Sequence, residues 1–255
     1  PMGLKVTTCG LEDCIRGVSE KLDWGAKRGQ GQAKRRGVGV ASLFHVGGGG
    51  RIYRSDACGL MIKLADFANA NVYCGGVEMG QGLHTVLTAT VAEALGVRPD
   101  QIFINPTDTG TCPWDVGTHA SRGAFMACNA AVRAAAELRR RIFELAAELL
   151  PAEAHKNLKK LRKKKPDFTP ADFDLSAACR PEAFSLIDSV LTVDGAPDEP
   201  WLKLDLGQLL RAAHFRQQGQ MLVAEVFYDP PNELPDWERG VGNMSATYAW
   251  GAQGA

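Results

Sequence analysis

The chain has 255 residues, 45% of them hydrophobic and 23% charged, and its 29 Lys plus Arg balance 29 Asp plus Glu for a formal net charge of zero. The apolar share supports a sizeable core in one large domain or two small ones. The neutral balance argues against nucleic acid as the main partner and fits a subunit of a complex. No apolar run is long enough to span a membrane, and the first residues lack signal-peptide architecture. Seven cysteines (Cys9, Cys14, Cys58, Cys74, Cys112, Cys128, Cys179) show no CxxC spacing. The odd number argues against a disulfide framework, and the spacing against a zinc or iron–sulfur site built from this chain alone. They read as reduced, buried small hydrophobes, which points to the cytoplasm.

In chain order, residues 11–24 carry Leu11, Cys14, Ile15, Val18 and Leu22 at helical spacing and predict a short amphipathic helix. Residues 30–36 form a basic linker; with Arg51 and Arg54 they read as a phosphate-binding patch or as a solvated loop. Residues 37–46 alternate small and apolar side chains and predict a strand. The glycine run 47–50 reads as a flexible turn or a close backbone approach. Residues 58–64 and 70–74 predict a hairpin around 65–69.

The stretch Gly75-Gly76-Val77-Glu78-Met79-Gly80-Gln81-Gly82 follows, and the rest is organised around it. Its glycines leave main-chain N–H groups without side-chain cover, and the helix predicted over 83–95 begins with unpartnered N–H groups. The combination reads as a site for a phosphate or another oxyanion; the same glycines also suit tight turns. Gly96 fits the helix C-cap and Pro99 stops continuation. A strand over 101–105 completes a βαβ-like unit.

The pattern then repeats. Loop chemistry at 105–111 leads to Thr118-His119-Ala120-Ser121-Arg122-Gly123 and a second helix over 125–150, with Thr118 or Ser121 as N-cap and Pro151 marking the end. Two such helix starts are expected to grip one extended anionic ligand from two sides. The basic run 156–165 reads as a solvated helix end or linker, or as a docking patch. Residues 171–176 read as a loop. Residues 184–193 predict a strand turning at Asp194-Gly195, 204–213 a short helix, and 221–228 a strand ended by Asp229-Pro230-Pro231. The apolar tail 242–253 predicts a strand in need of a partner, and another polypeptide is expected to continue the sheet. The expected fold class is α+β, with mixed sheets and βαβ-like units. Residues 1–150 are expected to form the ligand-cradling region, 151–180 a basic linker region, and 181–255 a strand-rich segment completing a sheet with a partner chain.

Familiar motifs are missing. No Gly-Lys-Ser/Thr follows the glycines, Thr85 stands where a dinucleotide fingerprint needs its third glycine, and there is no His-Glu-x-x-His or Gly-x-Ser-x-Gly. His45, His84, His119, His155 and His214 are scattered; only His84 and His119 sit inside the expected anion loops. No catalytic residue and no metal ligand is assigned to this chain.

The string from Gly75 to Thr85 resembles the GGxEMGQGxxT element of the molybdenum-binding subunit of the xanthine dehydrogenase/aldehyde oxidase family. Residues 36–41 resemble its RGxGxA strand, and Asp108-Thr109 with residues 117–122 resemble its DT…GTxASR element. Tyr228-Asp229-Pro230-Pro231, Gly242-Asn243 and residues 248–253 resemble the strand that follows, most like the hydroxybenzoyl-CoA reductase branch. The resemblance implies a molybdopterin cofactor with molybdenum, usually the cytosine dinucleotide form in bacteria. It implies cofactor contacts at Met79, Gly80, Gln81, Gly82, Leu83, His84 and Thr85, and at Ala120, Ser121, Arg122, Gly123 and Ala124. Gln81 would bond near the molybdenum ligands, and Arg122 would offer a charged fork to a phosphate. His119 and Ala120 would face the substrate side of the metal. The family's Phe-Arg-Gly segment and its Gly-x-Gly-Glu, which supplies the general base, have no counterpart in the sequence. The expectation is therefore a split or partial subunit that is not active alone. Its partners would be another molybdenum-subunit chain with the catalytic Glu, an iron–sulfur chain with 2Fe–2S clusters and a flavin chain with FAD. The rivals are a scaffold that kept the fold without the cofactor, a fragment of a longer chain, and a free-standing nucleotide binder.

Overall fold

The computed structural model describes residues 9–29, 37–47, 55–216, 219, 221–231, 238 and 247–254. The expected linker 30–36, Arg51, Arg54, Gly48 to Gly50 and residues 242–246 lie outside the described residues. The chain divides into two compact units, one of Pro1–Asp56, Thr118–Gly123 and Asp229–Ala255, the other of Ala57–Gly117 and Ala124–Tyr228. This division does not follow the boundaries expected at 150 and 180, because contacts between distant segments define the units.

The first unit begins with α1 (Leu11–Leu22) and the short α2 (Trp24–Lys27). Asp23, in the left-handed region at φ 54°, separates them and returns its N–H to the Glu20 carbonyl. β1 (Val40–Gly47) follows. Its antiparallel partner is the last strand of the chain, Thr247–Gly254, with Val40 opposite Gly254 and Gly47 opposite Thr247. The tail strand expected to await another polypeptide thus has a partner in its own chain.

The second unit holds the apolar core. β2 (Cys58–Leu64) and β3 (Ala70–Cys74) form the expected hairpin. Leu60, Ile62 and Leu64 alternate with Met61 and Lys63, and the register sets the three core residues opposite Cys74, Val72 and Ala70. α3 (Leu83–Leu95) then crosses to β4 (Ile102–Ile104), which pairs parallel to β3 and completes the βαβ-like unit. Gly96 ends α3 at φ 83°, and a Cβ there would lie 2.2 Å from the Leu186 carbonyl oxygen, so conformation and space both require glycine.

α4 runs from Gly123 to Lys164, past the proline expected to end it. An interior proline removes one helix bond and costs about 3 kcal/mol. Burial on both sides of Pro151 outweighs this: Leu149, Leu150 and Ala154 are buried, and Leu158 packs on the core. Glu153, also buried, is met by Lys156 at 2.6 Å and by Gln208 at 2.7 Å. The N-terminal half presents Ala127, Ala130, Ala131, Ala134 and Ala135 inward, small enough for close packing. The basic run is therefore the last turns of this helix.

The short α5 (Leu175–Ala178) leads to β5 (Phe184–Ile187) and β6 (Val190–Val193). One strand was expected here. The chain instead turns at Asp188 and Ser189, at φ 49° and 66°, the left-handed pair of a two-residue hairpin that short polar side chains tolerate. The Ser189 N–H bonds the Gly96 carbonyl at 2.9 Å. β7 (Leu204–Asp205) completes a three-stranded sheet, α6 (Leu206–Arg216) follows, and β8 (Val223–Tyr228) joins the main sheet in the order β4-β3-β2-β8. The final strand, Thr247–Gly254, is β9. The architecture is α+β with mixed and antiparallel sheets, as expected from the sequence.

None of the seven cysteines is in a disulfide; only Cys58 and Cys74 are fully buried and Cys9 is exposed, so burial is less general than expected. The adjacent Cys74 thiol, then burial, push the Cys58 thiol up, which keeps it protonated. Among the described residues no helix is long and apolar enough to cross a membrane.

Candidate functional site

The glycines of the 75–82 loop divide into two kinds. A Cβ at Gly75 would lie 2.5 Å from the Asp115 Cβ and 2.6 Å from the Pro113 carbonyl oxygen, and one at Gly76 would lie 3.0 Å from the Leu83 side chain. These two glycines admit the chain's own segments. Thr107 pins the same stretch by donating to the Gly76 carbonyl at 3.1 Å. Gly80 and Gly82, at φ 100° and 84°, have open space where a Cβ would stand. They supply left-handed backbone and leave the main chain open to approach.

The loop's amides are not bare, which corrects the sequence expectation. The Glu78 carboxylate accepts the N–H groups of Gly80 at 2.7 Å, Gly82 at 3.0 Å and His84 at 2.9 Å. Glu78 is held below the ordinary carboxylate range, chiefly by the His84 amide and then by the Gly82 amide, with Gly80 adding to them. The Gln81 carboxamide is also turned onto the loop, accepting the Met79 N–H at 2.6 Å and donating to the Val77 carbonyl at 2.7 Å. It was expected to reach toward a metal's ligands; here it braces the backbone. The loop still presents Met79, which is 68% exposed, along with Gln81 and Thr85. Leu83 is buried against the core, and the buried Nε2 of His84 meets no hydrogen-bond partner among the described residues.

The segment 118–123 belongs to the other unit. Ala120 and Ser121 stand consecutively at φ 49° and 53°. Left-handed backbone at non-glycine residues costs of order 1–3 kcal/mol each and persists only where surroundings enforce it. The enforcement is visible. The Arg122 N–H closes the turn onto the His119 carbonyl at 3.1 Å, and the Ser121 hydroxyl meets His45 Nε2 at 3.0 Å. The Arg122 guanidinium is buried against Asp56, with Nε 3.1 Å from the carboxylate and Nη2 donating to the Asp56 carbonyl at 2.6 Å. Asp229, of the Asp-Pro-Pro sequence, holds the Ser55 hydroxyl at 3.2 Å and the Asp56 N–H at 3.4 Å.

Arg122, expected to extend a fork to a phosphate, is 1% exposed and engaged with Asp56. Gly123 and Ala124 open α4, and Ala124 falls within the second unit. The expected site residues therefore split between the units: Met79 to Thr85 and Ala124 in one, Ala120 to Gly123 in the other. Sequence reasoning missed Glu78, His45, Asp56 and Asp229 as supports. For Glu78 a signal existed, since an acid just before a helix start is placed to meet its amides; His45 and Asp56 have no local signature. Among the described residues, no group of three or more His, Cys, Asp or Glu is placed to hold a metal ion.

Residues 17–255 match the family described as molybdopterin cofactor-binding domain. The chain is 34% identical over 143 residues to the probable hypoxanthine oxidase XdhD of Escherichia coli (strain K12), covering 56% of this chain and 15% of that protein. It is 31% identical over 157 residues to the putative xanthine dehydrogenase molybdenum-binding subunit XdhA of the same strain, covering 60% of this chain and 21% of that one. Among solved structures, quinoline 2-oxidoreductase from Pseudomonas putida 86 aligns with a TM-score of 0.57 at 22% identity, over 96% of this chain and 28% of that one. That likeness speaks for the fold. The chain thus spans 15% and 21% of the length of these two curated relatives.

Proposed function

Because the chain belongs to the molybdopterin cofactor-binding domain family, we propose that it holds part of a molybdopterin cofactor within a molybdenum hydroxylase-type oxidoreductase. The contacts in this reading are Met79 to Gly82, His84 and Thr85, with Ala120, Ser121, Gly123 and Ala124; the side chains of Leu83 and Arg122 are buried and drop out of the expected set. The observation that carries it is the open backbone at Gly80 and Gly82, held in shape by Glu78 and Gln81 and bordered by the exposed Met79. Gly75 is glycine because the chain crowds it, whereas Gly80 and Gly82 meet a left-handed backbone requirement and, facing open space, also leave the main chain free for a flat, polar ligand laid against it. The Ala120-Ser121 turn supports the reading on its own unit, since strain held at non-glycine residues clusters at ligand sites.

When bound, the molybdenum centre supplies the oxygen chemistry: hydroxylation, or reductive dehydroxylation, of an aromatic, heterocyclic or aldehyde substrate. The residues of this chain bind and orient the group. In this reading the cofactor is the cytosine dinucleotide form, and the general base comes from another molybdenum-subunit chain. A 2Fe–2S chain and an FAD chain carry electrons, and the complex works in the cytoplasm. The names of two relatives support an assembly: one is called a dehydrogenase complex subunit gamma and another a dehydrogenase large chain.

The rival reading, a scaffold that kept the fold without the cofactor, draws on the closed amides and the occupied Arg122 fork. Molybdenum and phosphate analysis of the purified assembly separates the two. The proposal expects one molybdenum for each copy of the chain, and loss of most of it in Gln81→Ala and Ser121→Ala. Wild-type assembly without molybdenum, or unchanged content in both folded variants, refutes it.

A further inference from the structure

The glycine loop carries an anion of its own. Three N–H donors, from Gly80, Gly82 and His84, converge on the Glu78 carboxylate at 2.7, 3.0 and 2.9 Å. Two of the donors belong to the left-handed glycines and the third to the first turn of α3. The carboxylate thus takes the place in the amide nest where a bound phosphate would be looked for first. Glu78 lies within a few residues of each donor, so its effective concentration there is on the order of millimolar or above. An incoming phosphate would exchange one set of charge-assisted bonds for another and gain little by doing so.

We propose that Glu78 is a positioning residue whose carboxylate closes this nest to external anions and fixes the loop, so that the cofactor meets the loop through Met79 and the open faces of Gly80 and Gly82. This rests on the cofactor reading above, because it concerns the face the loop offers to that group. It assigns the cofactor's phosphates to contacts other than these three amides. The Gln81 carboxamide, tied to Met79 and Val77, braces the same turn.

The test uses the full chain labelled with 15N. Inorganic phosphate or formate, titrated into the wild type, leaves the Gly80, Gly82 and His84 amide resonances in place. Glu78→Ala empties the nest, and both anions then shift those three resonances saturably, at least about tenfold more tightly than in the wild type. Should Glu78→Ala not fold, Glu78→Gln, which removes the charge and keeps only one of the two acceptor oxygens, serves for the same titration, with the gain in anion binding expected first at the amide left without an acceptor. Phosphate binding to the wild-type nest as tightly as to the variant overturns the proposal, as does a folded variant that takes neither anion. Molybdenum content of the assembly supplies the second arm. A loaded wild type, a depleted Glu78→Ala and recovery on adding formate support the positioning role. A loaded wild type with an equally loaded variant overturns it. Wild type without molybdenum, with the anion titrations as expected, leaves the nest closed by Glu78 and removes the cofactor reading instead.

Discussion

The loop at 75–85 and the turn at 118–123 both interrupt regular structure just before a helix, yet they are held in opposite ways. Beyond its start, which Thr107 fastens at Gly76, the loop is held from within: Glu78 and Gln81 reach their partners inside the same stretch, and glycine supplies every left-handed position. The turn is held from afar: His45, Asp56 and Asp229 come from distant parts of the chain, and two non-glycine residues bear the strain. A locally encoded loop keeps its shape while its surroundings change. A turn stabilised over long range is only as firm as its most remote support.

The sharpest way to break this contrast is at the buried ion pair. Arg122→Ala removes the guanidinium from the buried Asp56 carboxylate and is expected to cost about 3–5 kcal/mol, with the loop unaffected. Chemical denaturation followed by amide exchange at both segments checks this; equal loss of protection at Gly80 and Gly82 would show that the two are not independent. Relieving the strain comes next. Ala120→Gly is expected to stabilise the chain by roughly 1 kcal/mol in thermal unfolding while lowering molybdenum retention. A stability gain with no change in retention would mean the strain serves no ligand.

A smaller effect is expected at His45. Its bond to Ser121 is exposed, so His45→Ala should cost only about 0.5–1 kcal/mol, the lower part of the usual hydrogen-bond range. A double-mutant cycle with Ser121→Ala isolates the pair term, and strict additivity would show that the bond does not hold the turn. The mildest prediction concerns pH. Glu78 has a folded pKa below its ordinary value of 4.5, so its contribution is complete above the ordinary value and is lost as pH falls through the lower folded one. Amide exchange at Gly80, Gly82 and His84 should then accelerate selectively under acid, after correction for the intrinsic rate. Acceleration that begins near neutrality would point to another group.

Much of the second unit was legible because its signals are local. The two runs 58–64 and 70–74 on either side of 65–69 marked β2 and β3, and Gly96 marked the end of α3. Pro151 misled because its penalty is local while the burial of Leu150, Ala154 and Leu158 is tertiary. Asp188 and Ser189 escaped notice because neither is the glycine that advertises a two-residue hairpin. At the site, the sequence pattern located the loop but not the state of its amides. Gln81 read as a cofactor contact and Glu78 carried no role, since only placed atoms show both side chains turned back onto the loop's own backbone. Arg122 looked like a surface fork because its partner, Asp56, is distant in the sequence.

The ribbon of β1 and β9 has a consequence for the order in which the molecule assembles. Pairing Val40 with Gly254 and Gly47 with Thr247 obliges β1 to wait until almost all the residues between have left the ribosome. At synthesis rates of roughly 5–20 residues per second, that delay is many times longer than the microseconds in which a hairpin such as β2–β3 closes. The unit containing the ribbon is therefore finished last. During that interval β1 is an unpaired edge, the moment in the protein's life when a chaperone has most to shield.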